Sequence, residues 1–315
     1  MEQQKTLSAS SIKALESCSW LYWAQYEQKI PQRVNEGAQR GTIAHLIFEL
    51  LLLPKHKKHF DLIINSGSIE GSPAVKRLVL KHLRKEKILK IDNYKLMDNM
   101  ILVGLRSNFF GEKHLGATVS NPEFRFELEN QSPLYKVRGY IDKFITYPNG
   151  KIKIVDYKSS KSKFSGDELE ANIQSFVYSL VGYKLLKAKE VVAEFIFLRY
   201  SKQPLQQVRP TKEQLSGFEH YLAYLYSLIL QFNKNLAQNN LAINNSKNRW
   251  LCKTGSWVCP YLNSFKYYAL FNENGTIART AMMKENLKKE TGQILKEMWY
   301  EGCPGWKNNK IPTKL

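Results

Sequence analysis

The period of the apolar positions changes along the chain, and each change marks a different kind of element. After Ser8-Ala9-Ser10-Ser11, the residues Ile12, Leu15, Leu21, Tyr22 and Tyr26 share one broad stripe, which predicts a helix with Ser8 or Ser10 as N-cap and Cys18 inside it. A loop with Pro31 and Gly37 follows. From Gly41 to Leu52 a strongly apolar helix is expected, stopped by Pro54, with His45 and Glu49 stacked one turn apart. Residues 55–120 are lysine-rich, and 74–87 and 94–107 carry mixed three- and four-residue spacings, so helices are expected there too.

At Glu123 the period falls to two. Phe124, Phe126 and Leu128 alternate with Arg125, Glu127 and Glu129, the pattern of a half-buried strand. The stretch RGYIDKFITYPNGKIKIVDYKSS, Arg138 to Ser160, then reads as two strands joined by a Pro148-Asn149-Gly150 turn. A helix is expected from about Gly166 to Leu186 and a fourth strand at Glu194–Tyr200. Three strands, a crossover helix and a further strand place helices against a mixed sheet, an α/β (α+β mixed) class. Beyond it, 211–238 predicts a long amphipathic helix, Asn239–Asn248 a loop, and Tyr267–Phe271 a short aromatic segment. A turn at Asn274-Gly275 leads to a last helix at about 283–299, so the C-terminal extension is expected to be helical. The expected organisation is a single domain over 1–315. Its core is about 1–54 and 121–238, its helical insertion about 55–120, and its extension about 239–315.

Composition narrows the class of partner. Against 28 acidic residues stand 47 lysines and arginines, a net charge of +19, and such an excess points to a polyanion, most simply nucleic acid. A ribosomal or membrane-surface role would give the same number. Four cysteines in 315 residues do not make a disulfide scaffold. The opening MEQQKTLSAS lacks the apolar segment of a secretory leader, and the longest apolar run, Leu46 to Pro54, is too short to span a bilayer and holds Glu49. A soluble protein of the reducing cytoplasm is expected.

The charged residues of the hairpin carry the chemistry. Strand side chains alternate, so Asp156 and Lys158 share one face while Tyr157 points away, and Asp142 lies on the preceding strand. Two carboxylates and an ammonium on such a sheet are costly unless a cation joins them. Asp142, Asp156 and the backbone carbonyl of Tyr157 offer hard oxygen ligands for Mg²⁺ or Mn²⁺, and Lys158 can hold the attacking water and stabilise a pentavalent phosphate. On the crossover helix Gln174 and Tyr178 are one turn apart and can face this charged edge. No cysteine nucleophile, Ser-His-Asp order or phosphate-cradling glycine loop competes. D-x-K by itself is a weak signal, and His45 read alone is a core histidine bonded to backbone.

The ordered set is more specific. Gly41-Thr42-Ile43-Ala44-His45 resembles a G-x-x-x-H motif, Gly139-Tyr140-Ile141-Asp142 a G-x-I-D motif, Asp156-Tyr157-Lys158 the D-x-K core, and Gln174 to Tyr178 a Q-x-x-x-Y motif. With Ser8-Ala9-Ser10 and Cys18 before them, these resemble the RecB-like branch of the PD-(D/E)xK nuclease superfamily. That branch includes phage-type exonucleases and nucleases of CRISPR adaptation. The resemblance implies a restriction-endonuclease-like core and metal-dependent cleavage of DNA, as single strands or duplex ends, in recombination, repair or phage DNA metabolism, with a recombination or replication protein as partner. It implies His45 as a metal ligand beside Asp142, Asp156 and the Tyr157 carbonyl, and Gln174 and Tyr178 at the scissile phosphate or supporting Lys158. A non-cleaving nucleic-acid-binding accessory protein, or an endonuclease or RNA nuclease, is the alternative. Many such relatives bind an iron–sulfur cluster through one early and three late cysteines. Here Cys18, Cys252, Cys259 and Cys303 are the candidates, but Phe265 stands six residues after Cys259 where a ligand would be expected. Cys303 is distant, so a metal-free closure of the termini is favoured over a cluster.

Overall fold

Ser8 opens the first helix, α1 (Ala9–Ser17), as its N-cap. The Ser8 hydroxyl accepts the Ser11 N–H at 3.1 Å, and the Ser8 N–H donates back to the Ser11 hydroxyl at 2.8 Å. The helix expected to run on through Cys18 instead breaks there. Cys18 has an extended backbone, φ −165°, and helical turns resume only at Ser19. The structure, a computed structural model, describes residues 5–32, 35–255 and 257–307. The chain forms two compact units, Met1–Thr6 with Val34–Tyr226, and Leu7–Arg33 with Ser227–Leu315.

The first unit begins with α2 (Glu36–Leu52), capped by Asn35, whose Oδ1 accepts the Ala38 N–H at 2.9 Å. Helices stand in the 55–120 region, where they are expected: α3 (Lys57–Ser66), α4 (Pro73–Lys85) and α5 (Ile91–Arg106). The strands are β1 (Thr118–Val119), β2 (Phe124–Gln131), β3 (Leu134–Ile141), β4 (Lys143–Thr146) and β5 (Lys151–Lys158). After the crossover helix α6 (Ile173–Lys184) come β6 (Glu190–Phe197) and β7 (Leu205–Val208).

Five strands make one sheet in the order β1-β4-β5-β6-β7, with β5 and β6 parallel across the α6 crossover and every other pair antiparallel. This is the mixed sheet the sequence predicts, with two differences. The alternating strand β2 pairs only with β3, as a separate hairpin. The first strand of the Arg138–Ser160 stretch is broken at Asp142, which stands between β3 and β4 rather than on a strand. The turn after β4 is as expected: Gly150, at φ +84°, donates its N–H to Tyr147 O at 3.0 Å.

On one face of the sheet Ile145, Val155, Tyr157 and Ile196 are buried against Ile43, Ile47 and Phe48 of α2, with Val79 and Leu83 of α4 and Met97, Met100 and Ile101 of α5 behind them. Helix α6 packs on β5 and β6. Helix α7 (Lys212–Leu230) buries Leu215, Phe218 and Leu222, and Phe176 of α6 meets Phe218 with ring centroids 5.1 Å apart.

The second unit overturns the last helix. In place of a helical C-terminal extension stand β8 (Phe265–Phe271), β9 (Ile277–Ala281) and β10 (Ile294–Tyr300), an antiparallel sheet in the order β9-β8-β10. The register runs from Phe265 opposite Tyr300 to Phe271 opposite Ile294, so an aromatic pair and an aromatic–β-branched pair close the two ends of the ladder. Gly292 turns the chain into β10 at φ +80°, and a Cβ there would meet Glu273 Oε1 at 2.2 Å. A helix through 283–299 would have had to carry this glycine mid-length, a poor helical choice.

Candidate active site and metal centre

Because Asp142 sits at the break between two strands, its carboxylate is free to turn toward β5. Its Oδ2 accepts the Tyr157 N–H at 2.8 Å, and its Oδ1 lies 3.0 Å from His45 Nδ1. His45, one turn along α2 from Gly41, places Nε2 3.0 Å from the Tyr157 carbonyl. Both ring nitrogens therefore face acceptors, an arrangement that suits the doubly protonated imidazolium. Burial pushes the His45 pKa down, but the hydrogen bond and charge of Asp142, the charge of Asp156 and the Tyr157 carbonyl outweigh it and raise it to about 9. The Tyr157 side chain points away from the Asp156 face, toward α2, its ring 4.2 Å from that of Phe48.

Asp156 is 5% exposed and is held from α6. Its Oδ1 accepts from the Tyr178 hydroxyl at 2.8 Å and from Gln174 Nε2 at 2.6 Å. Lys158 Nζ donates to Gln174 Oε1 at 2.5 Å and stands 2.7 Å from Asp156 Oδ2 as an ion pair. Among the described residues, Asp156 Oδ2 has no partner besides this ammonium. Asn172 sets the phase of α6 by capping it through the Ser175 N–H at 3.1 Å, so Gln174 and Tyr178 meet the sheet together.

Periodicity does not single out Glu123, which it makes the first residue of an alternating strand. The residue lies just before β2 in the left-handed region, φ +53°, with its N–H on Asp142 O at 3.1 Å. Its carboxylate and ligand atoms of His45 and Asp142 all lie within 4.8 Å of one another. Burial and the charges of Asp142, Glu49 and Asp156 raise the Glu123 pKa, against a lowering by His45. Its one sequence signal is the turn at Asn121-Pro122 before it. The donor set fits a hard divalent cation. One imidazole, crowded carboxylates and a backbone carbonyl are the hard donors such an ion takes, and several of them now face one another or Lys158 at contact distance.

The family model of the PD-(D/E)XK nuclease superfamily matches residues 6–264. The chain belongs to this superfamily. Among curated relatives it is 21% identical, over 227 residues, to one of the subunits of the ATP-dependent helicase/deoxyribonuclease of Streptococcus agalactiae serotype III, and equally to its counterpart from serotype Ia. The match covers 69% of this chain and 20% of each relative, so the chain spans about a fifth of their length. Among solved structures it is similar to a Eubacterium rectale protein described as a presumed exonuclease. That match has 11% identity and a TM-score of 0.46, over 80% of this chain and 90% of that one. No described helix is long and apolar enough to cross a membrane.

The four cysteines of this PD-(D/E)XK chain belong to the second unit and line one cavity of about 210 Å³, with Trp20, Leu241, Ile243 and Leu251 among its walls. Cys303, distant in sequence, lines this cavity with the other three. Gly302, at φ +88°, turns the backbone and the Cys303 N–H donates to Leu262 O at 3.1 Å. Burial, with the neighbouring thiols, pushes Cys252 up to about 11, and burial pushes Cys259 up to about 12 and raises Cys303 as well. All four are free thiols.

Proposed function

We propose that this chain is a divalent-metal-dependent deoxyribonuclease that hydrolyses phosphodiester bonds, working from DNA ends. The observation that carries this reading is the convergence of His45, Glu123, Asp142 and the Tyr157 carbonyl beside the Asp156–Lys158–Gln174–Tyr178 network. His45, Glu123, Asp142, Asp156 and the Tyr157 carbonyl would hold Mg²⁺ or Mn²⁺. Such a cation, when bound, acidifies a ligated water and offsets charge on the phosphate.

The remaining work falls to the chain. Lys158, ion-paired with Asp156 and aimed by Gln174 Oε1, holds the attacking water and stabilises charge on the phosphate oxygens. Tyr178 and Gln174 hold Asp156 through Oδ1, which leaves Oδ2 turned to Lys158 and to the side where the cation would sit. The deoxyribonuclease named in the curated relatives supports DNA as substrate. That name joins the activity to a helicase in a much longer chain, which supports a recombination or repair partner for this one.

Purified protein with Mg²⁺ or Mn²⁺ and end-labelled linear or circular DNA tests the reading, beside Asp156→Ala and Lys158→Ala. Degradation of linear but not circular DNA, lost in both variants, is the expected result. No metal-dependent cleavage, or equal cleavage by the variants, would overturn it.

In place of the metal-free closure favoured from the spacing, we propose an iron–sulfur cluster for the cysteine cavity, supported by the convergence of Cys18 with three thiols far along the sequence. Iron with absorbance at about 400 nm in anaerobically purified protein is expected. Iron-free, colourless protein would refute it.

A further inference from the structure

His45 and the carboxylates occupy only one end of a larger open groove of about 790 Å³. Gln39, Thr42 and Leu46 line it from α2, His82 and Lys85 from α4, and Ser159 from the end of β5. Helix α2 passes so close to β5 that a Cβ on Gly41 would stand 2.6 Å from Ser159 Oγ. From Gln39 to Glu49 the α2 wall is about 15 Å long at 1.5 Å per residue. A nucleic-acid strand rises about 3.4 Å per nucleotide, so that wall matches about four nucleotides.

Charge is segregated among the lining residues. Glu49, Glu123 and Asp142 stand with His45, whereas the α4 side presents Lys85 and His82, and the acid beside them, Glu86, is engaged by Gln39 Nε2 at 3.2 Å. Lys85 is exposed, and neither it nor the His82 side chain has a hydrogen bond or ion pair among the described residues. Lys76 of the same helix, by contrast, is paired with Glu70 at 2.5 Å. Val75, Val79 and Leu83 anchor α4 in the core, so Lys85 and His82 are carried on a rigid support. The dipole of α4 would by itself favour basic residues in its last turn; that explanation concerns stability and makes no demand on DNA binding.

Resting on the nuclease reading, we propose that this groove holds the DNA strand being cut. Lys85 and His82 grip phosphates to one side of the scissile bond, and the carboxylate end holds the cation. The helical insertion, which supplies both residues, is then part of the substrate site.

The test uses the full chain. In an Asp156→Asn background, anisotropy of a labelled single-stranded oligonucleotide is followed across a salt series. Lys85→Glu should weaken binding about tenfold and lower the salt slope by about one, while Lys85→Arg stays within about twofold. Thermal stability should not move in step with binding. In the active protein Lys85→Glu should raise KM by more than it lowers kcat. Unchanged affinity and slope in both Lys85→Glu and His82→Glu would overturn the groove, as would a binding loss matched by unfolding. Wild-type cleavage with unchanged KM in Lys85→Glu overturns the groove alone; a wild type that never cleaves DNA overturns the nuclease reading and the groove with it.

Discussion

His45 should make the metal-free protein lose stability as pH rises through the alkaline range, and should make metal binding release a proton. Its folded pKa is raised from 6.5 to about 9, a difference on the order of 3 kcal/mol. Because the folded value lies above the unfolded one, that contribution is complete below about pH 6.5 and is lost as pH climbs through about 9.

A second group runs the opposite way. Lys143 is buried with its ammonium on the Phe109 carbonyl at 2.6 Å, and burial pushes its pKa from 10.5 down to about 7 despite Glu194 and Asp142. It penalises the folded state below about 7 and relents as pH approaches 10.5, so between 7 and 9 the two slopes oppose. The wild-type curve alone is therefore uninformative; the difference between wild type and His45→Asn isolates the histidine. All six tryptophans lie in the second unit, so their fluorescence would report the wrong half. Amide exchange of α2 in EDTA at pH 6, 7.5 and 9 reads the right one. The difference should shrink by on the order of 3 kcal/mol across this range. With metal, calorimetry in buffers of different ionisation enthalpy should find close to one proton released at pH 7, and affinity should rise about tenfold per pH unit up to about 9. A difference curve that stays flat, with no proton release, would refute the assignment of His45 as an imidazolium displaced by the cation.

Other substitutions probe the same centre and its surroundings. Glu123→Gln should weaken Mn²⁺ binding about tenfold in an EPR titration while slightly stabilising the metal-free fold, since burial and the neighbouring carboxylates penalise its charge. Tyr178→Phe removes the hydroxyl that donates to buried Asp156 at 2.8 Å. It should cost about 1.5–3 kcal/mol in urea unfolding and lower kcat more than it raises KM. Gly292→Ala discriminates between two secondary structures by sign. In a helix alanine would gain about 1 kcal/mol, but at φ +80° against Glu273 it should destabilise by about 1–3 kcal/mol, read in the tryptophan-monitored melt of the second unit.

The parts of this protein that are legible in its sequence share a physical cause. Asp156, Tyr157 and Lys158 can be placed on opposite faces because strand geometry alternates, and Gln174 and Tyr178 on one face because a helix repeats. Local periodicity determines those directions, and the parallel β5–β6 crossover follows from the order of elements. What is not legible depends on where the backbone departs from its period. Asp142 reaches both His45 and the Tyr157 N–H because the strand breaks under it. Glu123 joins it only through a left-handed residue whose N–H finds the Asp142 carbonyl.

The same holds in the second unit. An extended Cys18 interrupts a helix that its apolar stripe would continue, and Gly302 swings Cys303 to thiols that spacing alone sets far apart. Gly292 is the visible warning against a helix at 283–299, but strand pairing with β8 needs partners distant in sequence to become apparent. Periodicity thus locates His45, Asp156, Lys158, Gln174 and Tyr178, while the bends bring in Asp142, Glu123 and Cys303. A fourth metal-site carboxylate in a chain of this kind should therefore be sought at irregular residues flanking the strands, before further alternating positions are considered.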